Sequence, residues 1–213
     1  PENVAWLLNI RGYDNPNSPI PNARLIIDKN KKVFLITQKN NAKKIIKEKK
    51  IKKNQVIDIK DISKLINKLK GKNFITDNKT CSIFLENIIK SKFKILNKDD
   101  PIYKLKSIKN LHEINHMIEA HKKDGLALTR FIYWVKNINK KSITEVEAQN
   151  KLEKFRKLSK DYLFPSFNTI AGSGSNGAIV HYRATPESAK KINKKDIFLV
   201  DSGGQYSYGT TDV

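Results

Sequence analysis

The first hundred residues alternate short apolar runs with segments of helical periodicity. A continuous apolar run at residues 4–10 predicts a buried strand. Two β-rich runs at 23–28 and 33–37 flank a polar four-residue turn and predict a hairpin. Helical patterns follow at about 41–50, 61–70 and 79–90, with strands predicted between them at 55–59 and 74–76. Strands that alternate with helices predict an α/β layer.

The pattern changes after Asp99-Asp100-Pro101, because the residue before a proline resists the helical conformation. Apolar positions at helical spacing between residues 110 and 137 predict one long helix or two abutting helices, with Gly125 as the weak point. Ser142 and Glu145 form a capping-box pattern that predicts a second helix to about residue 159. Strands and glycine-rich turns are predicted from Tyr162 onward. We therefore divide the chain near residue 105, into domains 1–105 and 106–213.

The formal net charge of +21 first suggests nucleic-acid binding. The basic residues, however, are 37 lysines and only 5 arginines, and Lys, Ile and Asn together make up 87 of the 213 residues. Such a bias towards residues with A/T-rich codons is typical of an A/T-rich genome. Arginine is the side chain that reads guanine and binds phosphate with two hydrogen bonds, and it is scarce. The lysines are also dispersed outside residues 29–60, so the sequence argues against a specific nucleic-acid partner.

Membrane and disulfide-rich classes are disfavoured as well. No apolar run approaches the roughly 20 residues that a membrane-spanning helix needs. The first residues lack the charged and apolar regions of a signal peptide. A single cysteine, Cys81, excludes an intrachain disulfide framework and fits a reducing compartment. We therefore expect a cytoplasmic protein with no membrane partner.

A zinc-binding pattern lies within the long predicted helix. His112, Glu113 and His116 spell H-E-x-x-H, which places two imidazoles one turn apart as zinc ligands with the glutamate as general base. The elongated form of the motif is absent, because Glu119 and Lys122 stand where glycine and histidine are required. A glutamate ligand further along the chain stays open. The alternative is an amphipathic helix with surface histidines, and the sequence favours it.

Two aspartates near the end of the chain form a second candidate metal site. An apolar run at 197–200 ends at Asp201, and a glycine-containing turn and another β-rich run lead to Asp212. A hairpin of this size would bring the two carboxylates side by side, where they repel unless one is protonated or a cation lies between them. Oxygen ligands suit Mn²⁺, Mg²⁺ or Zn²⁺. The alternative is a type I turn with Asp201 first and Gly204 fourth, and both interpretations stay open on these residues alone.

A histidine upstream is a candidate catalytic residue. A glycine-rich loop at 172–177 leads into a predicted strand at 178–180, which ends in His181. The loop is not a phosphate-binding P-loop, because no Gly-Lys-Ser/Thr follows it. A histidine between a strand and a polar loop is well placed as a proton carrier or oxyanion donor. The alternative is a strand-end histidine that is hydrogen-bonded to backbone.

These motifs resemble a known family. The segments GSGSNGAIVHYRAT (172–185) and IFLVDSGGQYSYGTTDV (197–213) are similar to the Xaa-Pro aminopeptidases (aminopeptidase P), which are pita-bread metallopeptidases. AWLLNIRGYDNPNSP (5–19) resembles the N-terminal-side domain of their large cytosolic members, and residues 106–135 resemble the first long helix of their catalytic domain. The resemblance implies an α/β (α+β) chain: a creatinase/prolidase-like N-terminal-side domain followed by the first half of a pita-bread domain. It also implies that HEINH is a chance match on an outer helix.

The resemblance implies a two-metal hydrolase. The family holds two divalent ions, commonly Mn²⁺, with two Asp, one His and two Glu, and a hydroxide between the metals attacks the peptide bond before proline. Asp201 matches the aspartate that binds one metal, and Asp212 matches the aspartate that bridges both. His181 matches the histidine that contacts substrate near the scissile bond without binding metal. The expected partners are peptides with an N-terminal Xaa-Pro sequence and a second copy of the chain in a homodimer.

The ligand set implied by the resemblance is not complete in these residues. The family's remaining His and two Glu follow the second aspartate at a distance, whereas the sequence continues only to Val213. We therefore expect a fragment, truncated at both ends, that binds Mn²⁺ poorly and is inactive alone. Two alternatives to the aminopeptidase stay open: a prolidase-type dipeptidase, and a pita-bread relative that binds a partner without catalysis.

Overall fold

The chain divides between Ile108 and Lys109 into two units, Pro1–Ile108 (unit 1) and Lys109–Val213 (unit 2). The computed structural model describes residues 1–48, 50–138 and 142–213. Within these ranges no helix is long and apolar enough to cross a membrane.

Unit 1 is a mixed α/β layer built on two small sheets. Its elements are α1 (Glu2–Leu8), β1 (Arg24–Ile27), β2 (Val33–Ile36), α2 (Lys43–Lys47), β3 (Val56–Ile57), α3 (Ile62–Lys68), β4 (Asn73–Thr76), α4 (Ile83–Lys90), β5 (Lys94–Asn97) and α5 (Pro101–Ser107). The first sheet has the order β1-β2-β3, in which β1 and β2 are antiparallel and β2 and β3 parallel. β4 and β5 form a parallel pair. The predicted hairpin and α/β alternation are thus found, whereas β5 was not predicted.

Apolar side chains on both faces of β2 hold unit 1 together. Leu35 packs in a cluster with Val4, Ile10 and Val56. Ile36 points the opposite way along the strand and packs with the helix residues of a second cluster. Burial on both faces explains why the strand reads as a continuous apolar run rather than as an alternating one.

The strand predicted at residues 4–10 is wrong, because α1 occupies most of this segment. Asn9 ends the helix in a left-handed conformation, with φ of 47°, and its N–H bonds to the carbonyls of Ala5 and Trp6. Asparagine is one of the few residues that adopt this conformation readily. A short apolar run fits a buried strand and a short helix equally well, so the pattern could not separate them.

Unit 2 consists of two helices followed by short strands. Its elements are α6 (Leu111–Lys136), α7 (Glu145–Arg156), β6 (Tyr162–Pro165), β7 (Ile170–Ser173), β8 (Phe198–Asp201), β9 (Gly204–Tyr206) and β10 (Gly209–Thr210). β7 and β8 form an antiparallel pair, and β10, β9 and β6 form an antiparallel sheet in that order. α6 packs on α7 through Phe131, Ala148 and Leu152, which are buried.

Both helices of unit 2 begin at a capping box. Asn110 and Glu113 form a capping box at α6, which runs as one helix through Gly125. The predicted capping box of Ser142 and Glu145 is wrong, because Thr144 and Glu147 form it instead. Because the capping box lies two residues later than predicted, Glu145 falls on the inner face of α7, where its side chain is fully buried.

Gly125→Ala should stabilise the protein. A Cβ at this position meets no heavy atom within 4 Å outside the helix's own neighbouring backbone, so the methyl group fits. Alanine loses less backbone entropy in a helix than glycine, which predicts a gain of about 0.5–1 kcal/mol in the free energy of unfolding. Urea unfolding followed by circular dichroism measures it, and a loss of stability would contradict the open space at this site.

Candidate metal centre

Asp201 and Asp212 lie beside each other at the end of unit 2. β8 ends at Asp201, and the next residue, Ser202, exchanges two backbone hydrogen bonds with Val213, at N···O distances of 2.8 and 2.9 Å. The predicted hairpin between the segments of Asp201 and Asp212 is therefore built differently: β8 pairs with β7, and the tight hairpin is formed by β9 and β10. Both aspartates line one cavity of about 340 Å³.

A glycine permits this close approach of the two segments. A Cβ built on Gly203 would lie 2.0 Å from the Thr211 carbonyl oxygen and 2.2 Å from Ser166 Oγ. Ser166 Oγ in turn donates to the Thr211 carbonyl at 2.9 Å. Any larger residue at 203 would separate the segments and with them the two aspartates.

A buried ion pair connects the two helices of unit 2 to the segments that carry Asp201 and Asp212. Arg156 of α7 donates to Asp124 of α6 through Nε at 2.6 Å and Nη2 at 3.1 Å, and both side chains are 1% exposed. Nη2 also donates to Ser202 Oγ at 3.0 Å, and Thr211 Oγ1 donates to Asp124 Oδ2 at 2.9 Å. Ser202 follows Asp201 and Thr211 precedes Asp212. The ion pair thus fixes the neighbours of both candidate ligands.

Tyr206 completes the surroundings of the ion pair. Its hydroxyl donates to Asp124 Oδ1 at 2.9 Å. Burial, followed by the charge of Asp124 and its hydrogen bond, raises the pKa of Tyr206, so the phenol stays a donor at neutral pH. Both Asp124 oxygens are then satisfied by charge-assisted hydrogen bonds, which a buried carboxylate requires.

Asp201, which is half-buried, and Asp212, which is exposed, differ from Asp124, because no described basic side chain balances their charge. In the part of the chain that the structure describes, no basic side chain forms an ion pair with Asp201 or Asp212 within 4.0 Å. Arg183 lines the same cavity without such a contact. Two carboxylates that line one cavity favour a bound cation, and their oxygen donors suit a divalent ion of the Mn²⁺ or Mg²⁺ type. The donor set thus fits a metal, although residues 1–48, 50–138 and 142–213 hold no cluster of three or more metal-binding side chains.

His181 lines the same cavity as the two aspartates, together with Phe167, Asn168 and Ile170. Its backbone has a φ of +54°, in the left-handed region. The strand predicted at 178–180 is wrong: residues Gly174–Ala178 form a 3₁₀ helix instead. Gly172 and Gly177 pack backbone to backbone, with 2.8 Å between a Cβ built on Gly172 and the Gly177 backbone. This fold of the glycine-rich loop replaces the strand and turns His181 into the cavity.

Glu145 connects the two ends of the segment 173–190, which contains His181. Its carboxylate accepts from the Ser173 N–H at 2.6 Å and the Lys190 N–H at 2.9 Å. It also accepts from the Tyr182 hydroxyl at 2.8 Å and from Asn176 Nδ2 at 3.1 Å. Burial by itself would raise the pKa of Glu145, but these hydrogen bonds outweigh it and lower that pKa, so the side chain stays ionised at neutral pH.

The H-E-x-x-H residues lie away from the cavity. His112 and His116 are exposed on α6, and Glu113 is engaged in the capping box of that helix. The interpretation of this motif as a surface feature therefore fits the structure better than a zinc site.

Sequence reasoning missed Asp124, Arg156 and Glu145. A signal for them was present in the helical pattern. The buried positions of α6 are Ala120, Asp124, Ala127 and Phe131, and those of α7 are Glu145, Ala148, Leu152 and Arg156. The three charged residues thus occupy apolar-face positions at spacings of three and four, where an unpaired charge is costly and a partner must exist.

Arg156→Met should destabilise the protein strongly. The substitution leaves Asp124 buried without its counter-charge, which predicts a loss of about 3–5 kcal/mol in the free energy of unfolding. Lys122→Met is the control, because Lys122 pairs with Glu119 at the surface and should cause no measurable change. Urea unfolding of both variants compares them, and equal stability of the two would contradict the role of the buried pair.

Glu145 should contribute to the acid sensitivity of the fold. Because its folded pKa is lowered, its stabilisation is fully present above the unfolded pKa of about 4.3 and is lost as the pH falls through the folded value. Glu145→Gln should therefore flatten the decline of the free energy of unfolding below about pH 4.3. Urea unfolding at a series of pH values measures the slope, and a slope equal to that of the wild type would refute the assignment.

Two family models match consecutive parts of the chain. Residues 1–113 match the family model of the creatinase/prolidase N-terminal domain, and residues 115–213 match that of metallopeptidase family M24. Aminopeptidase P2 of Arabidopsis thaliana is 30% identical over 250 residues, and Xaa-Pro aminopeptidase ApepP of Drosophila melanogaster is 34% identical over 220. All of this chain is covered in both cases, but only 34% and 35% of the relatives. The chain thus spans about a third of their length.

Solved structures agree with the fold. The X-prolyl aminopeptidase of Caenorhabditis elegans, described as a cytosolic enzyme with a di-nuclear active site, superposes with a TM-score of 0.81 at 25% identity, covering 100% of this chain and 36% of that one. The Xaa-Pro dipeptidase of Bacillus anthracis gives 0.73 at 20% identity, over 99% of this chain and 56% of that chain. The predicted α/β fold with a pita-bread segment is confirmed. The chain therefore belongs to the creatinase/prolidase N-terminal domain family and continues into a segment that matches metallopeptidase family M24.

Proposed function

We propose that the protein carrying this chain is a metal-dependent aminopeptidase that removes the N-terminal residue from peptides with proline in second position. The observation that carries the proposal is the shared cavity of Asp201, Asp212 and His181. It occurs in a chain that aligns over its whole length with relatives named aminopeptidase P2 and Xaa-Pro aminopeptidase ApepP.

Asp201 and Asp212 are the proposed metal ligands of this chain. Both carboxylates would help to hold the divalent ions, with Mn²⁺ as the proposed metal. Two such ions, when bound, lower the pKa of a water molecule and stabilise negative charge on the substrate carbonyl oxygen. The two carboxylates are suited to this role because no ion pair with a described basic side chain competes for them.

His181 is the proposed substrate-contacting residue. An imidazole can donate a hydrogen bond from one ring nitrogen and accept one at the other, which suits a group that binds a peptide next to the bond to be cleaved. Its position on the wall of the cavity that both aspartates line is in keeping with contact to a substrate bound there. Phe167 and Ile170 give the same wall apolar surface for the substrate.

A dipeptidase of the prolidase type is the second candidate, since the Bacillus anthracis structure named as an Xaa-Pro dipeptidase has a similar fold. The aminopeptidase is favoured because the relatives at 30–34% identity carry that name. Cleavage of an Xaa-Pro tripeptide separates the two functions, because a dipeptidase acts on the dipeptide alone. We also infer a cytoplasmic location from the free Cys81 and from the cytosolic Caenorhabditis elegans neighbour. The homodimer stays a prediction.

Asp212→Asn should remove the activity of the full-length protein. The substitution deletes the negative charge of a proposed metal ligand, so we expect loss of bound Mn²⁺ and a fall in kcat/KM of more than about a hundredfold. Asp196→Asn is the matched control, because Asp196 is an exposed aspartate of the same unit outside the cavity. Metal analysis and hydrolysis of an Xaa-Pro tripeptide test both variants. Substantial turnover by Asp212→Asn, or absence of turnover in the wild type, would refute the proposal.

A further inference from the structure

We propose that Glu145 is a positioning residue that holds His181 in its orientation toward the cavity. Glu145 does not line the cavity itself and so acts through another residue. The inference rests on the proposed function, because it takes His181 as the residue that contacts substrate.

The connection from Glu145 to His181 runs through Tyr182. The Tyr182 hydroxyl donates to Glu145 Oε2 at 2.8 Å and accepts from Asn176 Nδ2, also at 2.8 Å. The Tyr182 side chain is 8% exposed, so its ring has little freedom to move. Since His181 is the adjacent residue, the anchored ring fixes the backbone from which the imidazole projects.

The backbone of His181 needs such an anchor. A left-handed φ of +54° is uncommon for a residue with a side chain and is strained relative to the ordinary conformations. It persists only where the surroundings over-determine it. Tyr182 on one side is held by Glu145, and its N–H bonds to the Ile179 carbonyl at 3.2 Å. Without these contacts His181 would relax to a negative φ and leave the cavity.

The hydrogen-bond donors around Glu145 form a cage that requires a carboxylate at its centre. Glu145 receives donors from Ser173, Asn176, Tyr182 and Lys190, and it offers no donor of its own when ionised. A glutamine at this position would replace one acceptor oxygen by an NH₂ group that faces other donors. Glu145→Gln therefore keeps the size of the side chain but breaks part of the cage.

The first test is a double-mutant cycle on the full-length, metal-loaded protein, with kcat and KM measured on an Xaa-Pro tripeptide. Glu145→Gln should lower kcat by about ten- to a hundredfold, the range expected for a misplaced catalytic group, while bound metal is unchanged. In a His181→Ala background the same substitution should lower kcat by less than about twofold, because the residue it positions is gone. Glu147→Gln, which changes a carboxylate of the same helix in the capping box, is the matched control and should leave kcat unaltered.

The second test does not depend on activity and uses a different substitution from the first. In protein labelled with ¹⁵N-histidine, the His181 amide signal is identified by its absence in His181→Ala. Tyr182→Phe removes only the hydroxyl of the cage and keeps the ring. It should shift the His181 signal, while the signals of His112, His116 and His121, which lie on α6, stay in place.

The outcomes separate the inference from the proposed function. An unmoved His181 signal in Tyr182→Phe overturns the inference whether or not the protein is a peptidase. An equal loss of kcat from Glu145→Gln in both backgrounds also overturns it, because Glu145 would then act on the fold as a whole. If His181→Ala leaves kcat unchanged while both Tyr182→Phe and Glu145→Gln move the His181 signal, the proposed role of His181 fails and the positioning by Glu145 stands.

Discussion

The hydrogen-bonded ion pair of Asp124 and Arg156 is the interaction on which the C-terminal unit depends. It joins α6 to α7, and through Ser202 and Thr211 it reaches the two segments that carry Asp201 and Asp212. Burying two charges is costly, so this pair is better understood as a device for geometry than as a source of net stability. The guanidinium suits it, because its planar donors engage Asp124 with two hydrogen bonds and leave one for Ser202.

Glu145 is a second buried carboxylate in unit 2, and its hydrogen-bond donors are uncharged groups. Asp124 is balanced by a full positive charge, whereas Glu145 is balanced by backbone N–H groups, an amide and a hydroxyl. Both carboxylates occupy the buried face of a helix, and each connects that helix to a loop near the cavity. The rigid helices thereby determine where the loops place their side chains, which is the arrangement that accurate sites need.

Local patterns in the sequence predicted what short-range physics determines. The β1–β2 hairpin, the long helix α6 and the α/β alternation of unit 1 followed from periodicity and turn residues. The strand predicted at 4–10 is wrong because a short apolar run fits a helix as well as a strand. The strand predicted at 178–180 is wrong because a glycine-rich loop, with Gly174 in the left-handed conformation, decides the path. Asp201, Asp212 and His181 were candidates from their positions beside predicted strands and glycine-rich turns, and the family resemblance implied a role for each. Glu145 was missed because its partners lie 28 to 45 residues away, and periodicity within one helix does not reveal them.

The partners of the carboxylates in unit 2 indicate where a cation would bind. The net charge of +21 lies mostly on lysines of the surface and says little about function. The informative charges are the carboxylates near the cavity. Asp124 has its guanidinium and Glu145 its cage of donors, so neither attracts a further cation. Asp201 and Asp212 face one cavity, and no described basic side chain pairs with them within 4.0 Å. Because like charges side by side repel, the arrangement favours a bound divalent ion over two bare carboxylates.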